Sequence, residues 1–239
     1  TQFDDREYYV TVQKALKMDE LLTRHSAVMD RYDPEKRVAL VVDEWGNWFD
    51  VEPGTNPGFL YQQNTMRDAL TAAVTFNIFH KHSDRVRMTN IAQMVNVLQS
   101  VILTDGVEMA LTPTYFVFEM NMPHRDARLV ESRMETSPVG IGYAQVPDLS
   151  ESASIGGDGR LTVTLCNLDL KEARQGQATI DGKRFGKADG VILTGDIRSA
   201  NTFEEPETIR PAVFTGCQIT DTGFDAVLPP HSVVRLTLA

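Results

Sequence analysis

The chain has 239 residues, 42% of them hydrophobic, so it is long enough to bury a sizeable core in one or two domains. A formal net charge of −10 offers no basic surface to nucleic acid or to an anionic membrane. No apolar run approaches the roughly 18 residues that a membrane span needs. We therefore expect a soluble protein, cytoplasmic or secreted, with a neutral or cationic partner.

The first half of the sequence alternates helical and extended patterns. Apolar residues recur at spacings of three and four over residues 4–33, which predicts a helix. The uninterrupted apolar run Val38–Val42 predicts a strand that is buried on both faces. A second helix is predicted over 65–82, a short strand over 85–90, and a third helix over 112–120, with Pro113 in its favoured first position. This order is typical of a parallel α/β fold.

The pattern changes after about Asp126, where short alternating strands lie between Gly, Asp and Asn turns. The clearest of these strands are Leu161–Cys166, 177–180, 190–194 and 232–238. Asp181 and Gly182 form a strong hairpin signal. Turn signals about every ten residues indicate an antiparallel β-sandwich. The fold class is therefore α/β plus all-β, with one unit over residues 1–126 and a β-sandwich domain over residues 127–239.

The α/β part is short for the fold that its pattern suggests. A (β/α)8 barrel takes roughly 200 residues or more, whereas residues 1–126 hold two clear strands. Half a barrel leaves its sheet open at the edges. The sequence also begins without a methionine and runs almost directly into a helix. We expect the missing strands in a segment that precedes Thr1.

Chemistry is concentrated where the buried strand ends. Asp43 and Glu44 follow Val42 directly, at the carboxyl end where parallel strands carry functional groups. Because side chains alternate along a strand, at most one of the two acids enters a given pocket. Trp45, Asn47 and Trp48 could then line a sugar site with flat apolar walls and an amide. The alternative is a capped strand whose acids are solvated or hydrogen-bonded to the loop.

A retaining glycosidase needs two carboxyl groups about 5 Å apart, one as nucleophile and one as acid/base. Glu44 suits the first role. Asp50 and Glu52 lie on the loop that leaves the same strand, and the turn formers around them favour a solvated or turn-forming role. The catalytic pair is therefore expected to be incomplete within this chain.

Three blocks in the first half carry a family resemblance. Leu40–Trp48, Pro53–Gly58 and His80–Asn96 resemble the C-terminal half of the catalytic domain of α-L-arabinofuranosidases in family 51 of the glycoside hydrolases. The resemblance continues into the second half through 166–169, 199–202 and 228–233. It covers essentially the whole chain.

The resemblance implies a (β/α)8 barrel with its nucleophile on the seventh strand, followed by a jelly-roll-like sandwich. It implies that Glu44 is the nucleophile, that Trp48 forms an aromatic wall and that Gln93 hydrogen-bonds the arabinose. The family's acid/base falls before Thr1, so an upstream half of the protein is needed to complete the site. The implied activity is the retaining release of terminal α-L-arabinofuranosyl residues from arabinose-containing oligosaccharides or polysaccharides. The resemblance implies no metal or organic cofactor. It does imply a homo-oligomer.

Alternatives remain for several residues. Trp45 either touches the ligand or packs beneath the barrel rim, and Asn47 either binds substrate or fixes the loop. Gln93 also has a structural alternative, that of tying loop amides together. His80 and His82 are two residues apart on a helix, which favours a cationic helix end over a metal site. Asp43 is expected to hydrogen-bond neighbouring strands or loops inside the barrel.

Two other functions are also compatible with the pattern. One is an endo-acting glucanase or xylanase, because related members of the same family resemble it. The other is a non-catalytic carbohydrate-binding segment, which the missing second carboxylate favours for this chain taken alone.

Overall fold

Helices and two parallel strands form most of the first half of the chain, and antiparallel strands form the second half. The computed structural model describes residues 2–239. The helices are Asp5–Ala15 (α1), Lys17–Tyr32 (α2), Met66–Lys81 (α3) and Pro113–Asn121 (α4). The strands of the first half are Leu40–Trp45 (β1), Val86–Ile91 (β2), Ile102–Asp105 (β3) and Glu108–Leu111 (β4).

The helix ends follow from local hydrogen bonding. At the start of α1, Asp4 and Glu7 form a capping box, in which each carboxylate accepts from the other residue's backbone N–H at 2.8 Å. The helix predicted over residues 4–33 is in fact two helices, because the chain turns at Leu16 between α1 and α2. Thr112 and Pro113 begin α4, as predicted.

β1 and β2 form a two-stranded parallel sheet, with Leu40 opposite Val86 and Trp45 opposite Ile91. The prediction that β1 is buried on both faces is wrong for the described residues, since Val41 is 44% exposed. The reason is that β1 pairs with β2 alone within residues 2–239, which leaves its other edge and part of one face uncovered.

The hairpin formed by β3 and β4 was not predicted. It turns at Gly106, which has a φ of +57°, and its strands pair from Ile102 opposite Leu111 to Asp105 opposite Glu108. Asp105 and Gly106 are a hairpin signal of the kind that was assigned to Asp181 and Gly182.

The second half contains two larger antiparallel sheets and a hairpin. Its strands are Arg128–Val130 (β5), Pro138–Ile141 (β6), Ala144–Pro147 (β7), Leu149–Ile155 (β8), Leu161–Asn167 (β9), Arg174–Thr179 (β10), Ala188–Leu193 (β11), Ala212–Phe214 (β12), Cys217–Ile219 (β13), Gly223–Leu228 (β14) and Ser232–Leu238 (β15). The six-stranded sheet has the order β12-β11-β15-β9-β8-β5, and the three-stranded sheet has the order β10-β14-β13. β6 and β7 form the hairpin.

A hydrophobic core lies between the two larger sheets and draws residues from both, such as Leu165 and Phe224. The predicted Asp181–Gly182 hairpin is wrong: Gly182 does turn with a φ of +81°, but β10 pairs with β14 and the next strand, β11, belongs to the other sheet. Cys166 lies buried in β9, and burial raises the pKa of its thiol to about 12.

The helices of the first half pack on the outer face of the six-stranded sheet. Their shared core includes Tyr8 of α1, Leu70 of α3, and Cys166 and Val233 of the sheet. The buried Tyr8 hydroxyl donates to the carbonyl of Leu168 at 3.1 Å. This packing fixes α1 and α3 against the six-stranded sheet. Within residues 2–239, none of the helices combines the length and apolar character that crossing a membrane requires.

Candidate active site

Glu44 lies exposed near the carboxyl end of β1 and lines a cavity of about 430 Å³. Glu44 is the only acid among the described residues that line this cavity. Asp43 does not line it, which agrees with the alternation of side chains along a strand. Neither acid makes a hydrogen bond or ion pair with any described residue. The hydrogen bond expected for Asp43 is therefore absent from this part of the chain. The carboxylate of Glu44 is free to meet a ligand.

Trp45 belongs to the core beneath the cavity. Its side chain is 6% exposed, and its ring lies 5.4 Å from those of Phe76 and Phe79 in edge-to-face contacts, and 6.1 Å from that of Phe118. A ring enclosed by phenylalanines has little surface left for a sugar. Of the two alternatives, the geometry favours packing beneath the rim.

Asn47 fixes the loop that follows β1. Its side-chain amide donates to the buried carboxylate of Asp68 at 2.8 Å, and its backbone carbonyl accepts from Gln62 at 3.2 Å. Gln62 also accepts from the backbone N–H of Phe49 at 2.9 Å. Of the two alternatives for Asn47, the contact with Asp68 favours the one in which Asn47 fixes the loop.

Asp68 connects this loop to the start of α3. Its carboxylate accepts from the backbone N–H of Thr65 at 2.8 Å and from the hydroxyl of Thr65 at 3.1 Å, in a capping box. Since the same carboxylate holds Asn47, the helix cap and the active-site loop share one anchor. Asp68 and Gln62 were missed from the sequence, because a capping signal does not reveal a partner some twenty positions away.

Trp48 stands at the rim of the cavity with 71% of its surface exposed. The flanking residues Asn47 and Phe49 are held by the loop contacts, so the backbone that presents the ring is fixed. Phe49 packs over the guanidinium of Arg67, 3.8 Å from the ring centroid. An exposed indole on an anchored loop is suited to contact the apolar face of a sugar.

Gln93 lies two residues beyond β2, at the same end of the parallel sheet as Glu44. The backbone N–H of Ala92 donates to the carbonyl of Trp45 at 2.9 Å, which keeps the two loops adjacent. The backbone N–H of Gln93 donates to Val97 at 3.2 Å, whereas its exposed side chain makes no hydrogen bond with another described residue. Its amide is therefore available to a ligand.

Gly46 allows the chain to turn sharply between Glu44 and Asn47. It has a φ of +132°, and a Cβ at this position would lie 3.0 Å from the side chain of Gln99. Gln99 is buried and donates to Asn64 at 2.9 Å. This second pair of amides supports the site from below and was also missed.

The end of α3 does not have the predicted cationic character at His80. Burial lowers the pKa of His80 to about 4, and its Nδ1 lies 2.9 Å from the hydroxyl of Ser152. Lys81 and His82 do face acids, at 2.6 Å from Glu151 and 2.7 Å from Asp19. Over residues 2–239, no group of three or more His, Cys, Asp or Glu side chains is arranged to hold a metal ion.

α1 and α2 form another wall of the cavity beside Glu44, through residues such as Thr11, Ala15 and Met18. Within residues 2–239, β1 pairs with β2 alone, so its other edge is unpaired in this part of the chain. Another strand could pair with that edge.

The chain matches one family model, described as the α-L-arabinofuranosidase C-terminal domain, over residues 43–232. It is 42% identical to an intracellular exo-α-L-arabinofuranosidase of Bacteroides ovatus, over 100% of this chain and 47% of that protein. It is 29% identical to a probable α-L-arabinofuranosidase C of Aspergillus flavus, over 95% of this chain and 45% of that protein. The chain thus spans about half the length of the curated relatives it matches.

Solved structures show the same relationship. The GH51 arabinofuranosidase of Xanthomonas axonopodis pv. citri is 46% identical and superposes with a TM-score of 0.98, over 100% of this chain and 49% of that chain. An α-L-arabinofuranosidase from Thermotoga maritima, solved as an arabinose complex, is 26% identical with a TM-score of 0.81, over 99% of this chain and 50% of that one.

Proposed function

This chain belongs to the α-L-arabinofuranosidases of glycoside hydrolase family 51, as their C-terminal region, and from that premise we propose that the protein containing it releases terminal α-L-arabinofuranosyl residues from arabinose-containing oligosaccharides or polysaccharides. The observation that carries this proposal is Glu44, an exposed carboxylate without a partner among the described residues. It lies near the end of a parallel strand, in a cavity with Trp48 at its rim.

The proposed reaction is a double displacement with retention. The Glu44 carboxylate attacks the anomeric carbon and forms an ester to the arabinosyl group, while the bond to the leaving oxygen breaks. A second carboxylic acid gives its proton to that oxygen. The same group then removes a proton from water, which attacks the anomeric carbon and releases arabinose and free Glu44.

The second carboxyl group is proposed to come from a segment preceding this chain. Two observations support this: the matched relatives are about twice as long, and Glu44 is the only acid among the described residues of the cavity wall. The distance required for retention is about 5 Å between the two carboxyl groups.

The open edge of β1 supports the proposed (β/α)8 barrel. A preceding strand that paired with this edge would pack against α1 and cover Val38 and Val41, which are 60% and 44% exposed. β1 and β2 would then be the seventh and eighth strands, within a unit that ends near residue 126. The strand would fill the α1 side of the cavity, so that Glu44 faced the mouth of the barrel. A jelly-roll-like sandwich over residues 127–239 would follow.

Each remaining site residue receives a role that agrees with its contacts. Trp48 forms an aromatic wall for the sugar, and the side-chain amide of Gln93 hydrogen-bonds the arabinose. Trp45 supports the floor of the site, and Asn47 positions the loop that carries Trp48. A homo-oligomer remains a prediction from the family resemblance.

The test compares purified full-length protein on an aryl α-L-arabinofuranoside, on xylan and on β-glucan. We expect rapid release of the aryl group and little cleavage within either polymer. Faster endo-cleavage of xylan or β-glucan would favour the glucanase or xylanase alternative. Arabinose binding without turnover of any of the three substrates would favour a carbohydrate-binding segment.

A further inference from the structure

The outer face of the six-stranded sheet is polar at one end. Arg235 and Thr237 on β15 lie opposite Thr164 and Thr162 on β9, so all four side chains share this face. The alternate residues of β15, such as Leu236, point into the core between the sheets. Arg235 is therefore a cation on a sheet face lined with hydroxyl groups.

The guanidinium of Arg235 has no hydrogen-bond or ion-pair partner among the described residues. Its Nε is buried without a hydrogen bond, and the side chain makes no ion pair within residues 2–239. Asp158, on the same cavity wall as Arg235, pairs with Arg160 at 3.6 Å, and Asp189, opposite Thr237 in the sheet, pairs with Lys187 at 2.8 Å. A partly buried charge without a counter-charge is costly, which indicates that a ligand supplies one.

A cavity of about 430 Å³ opens beside Arg235. Arg160 also lies on its wall, paired with Asp158, and Thr162 and Thr237 bring hydroxyls that make no side-chain hydrogen bond with other described residues. The wall also includes Gly157, whose backbone N–H makes no hydrogen bond to the backbone of residues 2–239. Apart from Asp158, the polar side chains of this wall can all donate to an acceptor.

We propose that this cavity binds an oxyanion, a carboxylate or phosphate group, with Arg235 as its principal ligand. A guanidinium offers two parallel N–H groups that match two oxygens of either anion, and the threonine hydroxyls supply further donors. The anion reaches the site either as free inorganic phosphate or as the carboxylate of a uronic acid in a polysaccharide. The site uses none of the residues around Glu44 and does not rest on the proposed function.

Isothermal titration of the full-length protein tests the site with three probes at constant ionic strength: inorganic phosphate, glucuronate and neutral glucose. We expect saturable binding of phosphate, glucuronate or both, and no binding of glucose at this site. Binding of phosphate alone identifies a free-ion site, and binding of glucuronate alone identifies a carboxylate site. Arg235→Gln should weaken binding at least about tenfold, because charge-assisted hydrogen bonds are lost.

Arg210→Gln is the matched control, since Arg210 is an exposed residue paired with Glu207, and it should leave binding unchanged. Thr237→Val removes one hydroxyl at constant shape and should weaken binding about threefold to tenfold, which keeps the test decisive if Arg235→Gln does not fold. The site is refuted if neither anion binds. It is also refuted if these variants bind the anion as tightly as the wild type, as would follow if Arg235 paired with another part of the full-length protein.

Discussion

At the scale of single residues, two buried histidines determine how the interface between helices and sheet responds to acid. His80 on α3 and His124 lie with their ring centroids 4.3 Å apart. Their nitrogens face hydroxyls, with Ser152 near His80 and with Ser154 and Thr164 near His124. Burial lowers the pKa of His80 to about 4 and that of His124 to about 3, with smaller contributions to the latter from His80 and Arg235. Both rings are therefore neutral in the folded protein at neutral pH.

These pKa values predict a loss of stability in mild acid. Between about pH 6.5 and pH 4 the unfolded chain binds protons at both histidines and the folded chain does not, so the free energy of unfolding falls as the pH falls. Each histidine contributes up to about 1.4 kcal/mol per pH unit in this window. Urea unfolding of the full-length protein at a series of pH values measures the slope.

His124→Gln should reduce that slope by the contribution of about one proton, whatever its effect on stability at pH 7. His25 is exposed on α2 and lies outside this buried pair, so His25→Gln is the matched control. An unchanged slope in His124→Gln would show that this ring is protonated in the folded protein.

At the scale of elements, the turn after β1 determines where Glu44 and Trp48 stand. Gly46→Ala should destabilise the protein by about 1–3 kcal/mol, because alanine is strained at a φ of +132°. Its Cβ would also press on Gln99, which lies 3.0 Å away. The same change should lower kcat/KM on an aryl arabinofuranoside by moving the loop.

Gly186→Ala serves as the control for this prediction. Among the described residues beyond its chain neighbours, no atom lies within 4 Å of a Cβ added at Gly186, and its φ lies outside the left-handed region, so the substitution should be neutral or slightly stabilising. Thermal unfolding and steady-state kinetics of the two variants give the comparison. Equal stability and equal activity in both would show that the conformation of Gly46 does not constrain the site.

Most elements could be predicted from local signals, and the errors have local causes too. The apolar periodicity predicts α3 and the unbroken apolar run predicts β1, because each signal lies within one segment of the sequence. The Asp-Gly signal was assigned to Asp181 rather than to Asp105. Asp105 and Gly106 form the turn of a tight hairpin, whereas Asp181 and Gly182 lie in the loop that connects strands of two different sheets.

The candidate site was predictable at Glu44, where an acid ends an apolar strand, but its support was not. Asp68, Gln62 and Gln99 act through contacts with residues 13 to 53 positions away in the chain. No spacing rule in the sequence reveals such pairs. The burial of Trp45 was equally hidden, since it depends on three phenylalanines from α3 and α4.

At the scale of the whole molecule, this chain is proposed to supply one half of an active site. This chain expressed alone should therefore hydrolyse no aryl arabinofuranoside, because the proposed acid/base lies elsewhere. The exposed side chains of Val38, Val41 and Met88 should also bind a hydrophobic dye.

Adding the separately expressed preceding segment should restore activity and reduce dye binding together, since one strand would cover the edge of β1 and bring the second carboxyl group. Activity of the isolated chain at the rate of the full-length protein would contradict the divided site. The control is the same mixture with Glu44→Ala in this chain. It should show the same reduction in dye binding but no hydrolysis of the aryl arabinofuranoside.

The central claim, that Glu44 is the nucleophile, is tested most directly by trapping the covalent intermediate. The full-length protein is treated with a 2-fluoro arabinofuranoside bearing a good leaving group, which slows breakdown of the ester, and is then digested and analysed by mass spectrometry. We predict that one arabinosyl group is attached to Glu44, and that Glu44→Gln prevents the labelling. Labelling of another carboxylate in the wild type, or undiminished labelling of Glu44→Gln, would contradict the account.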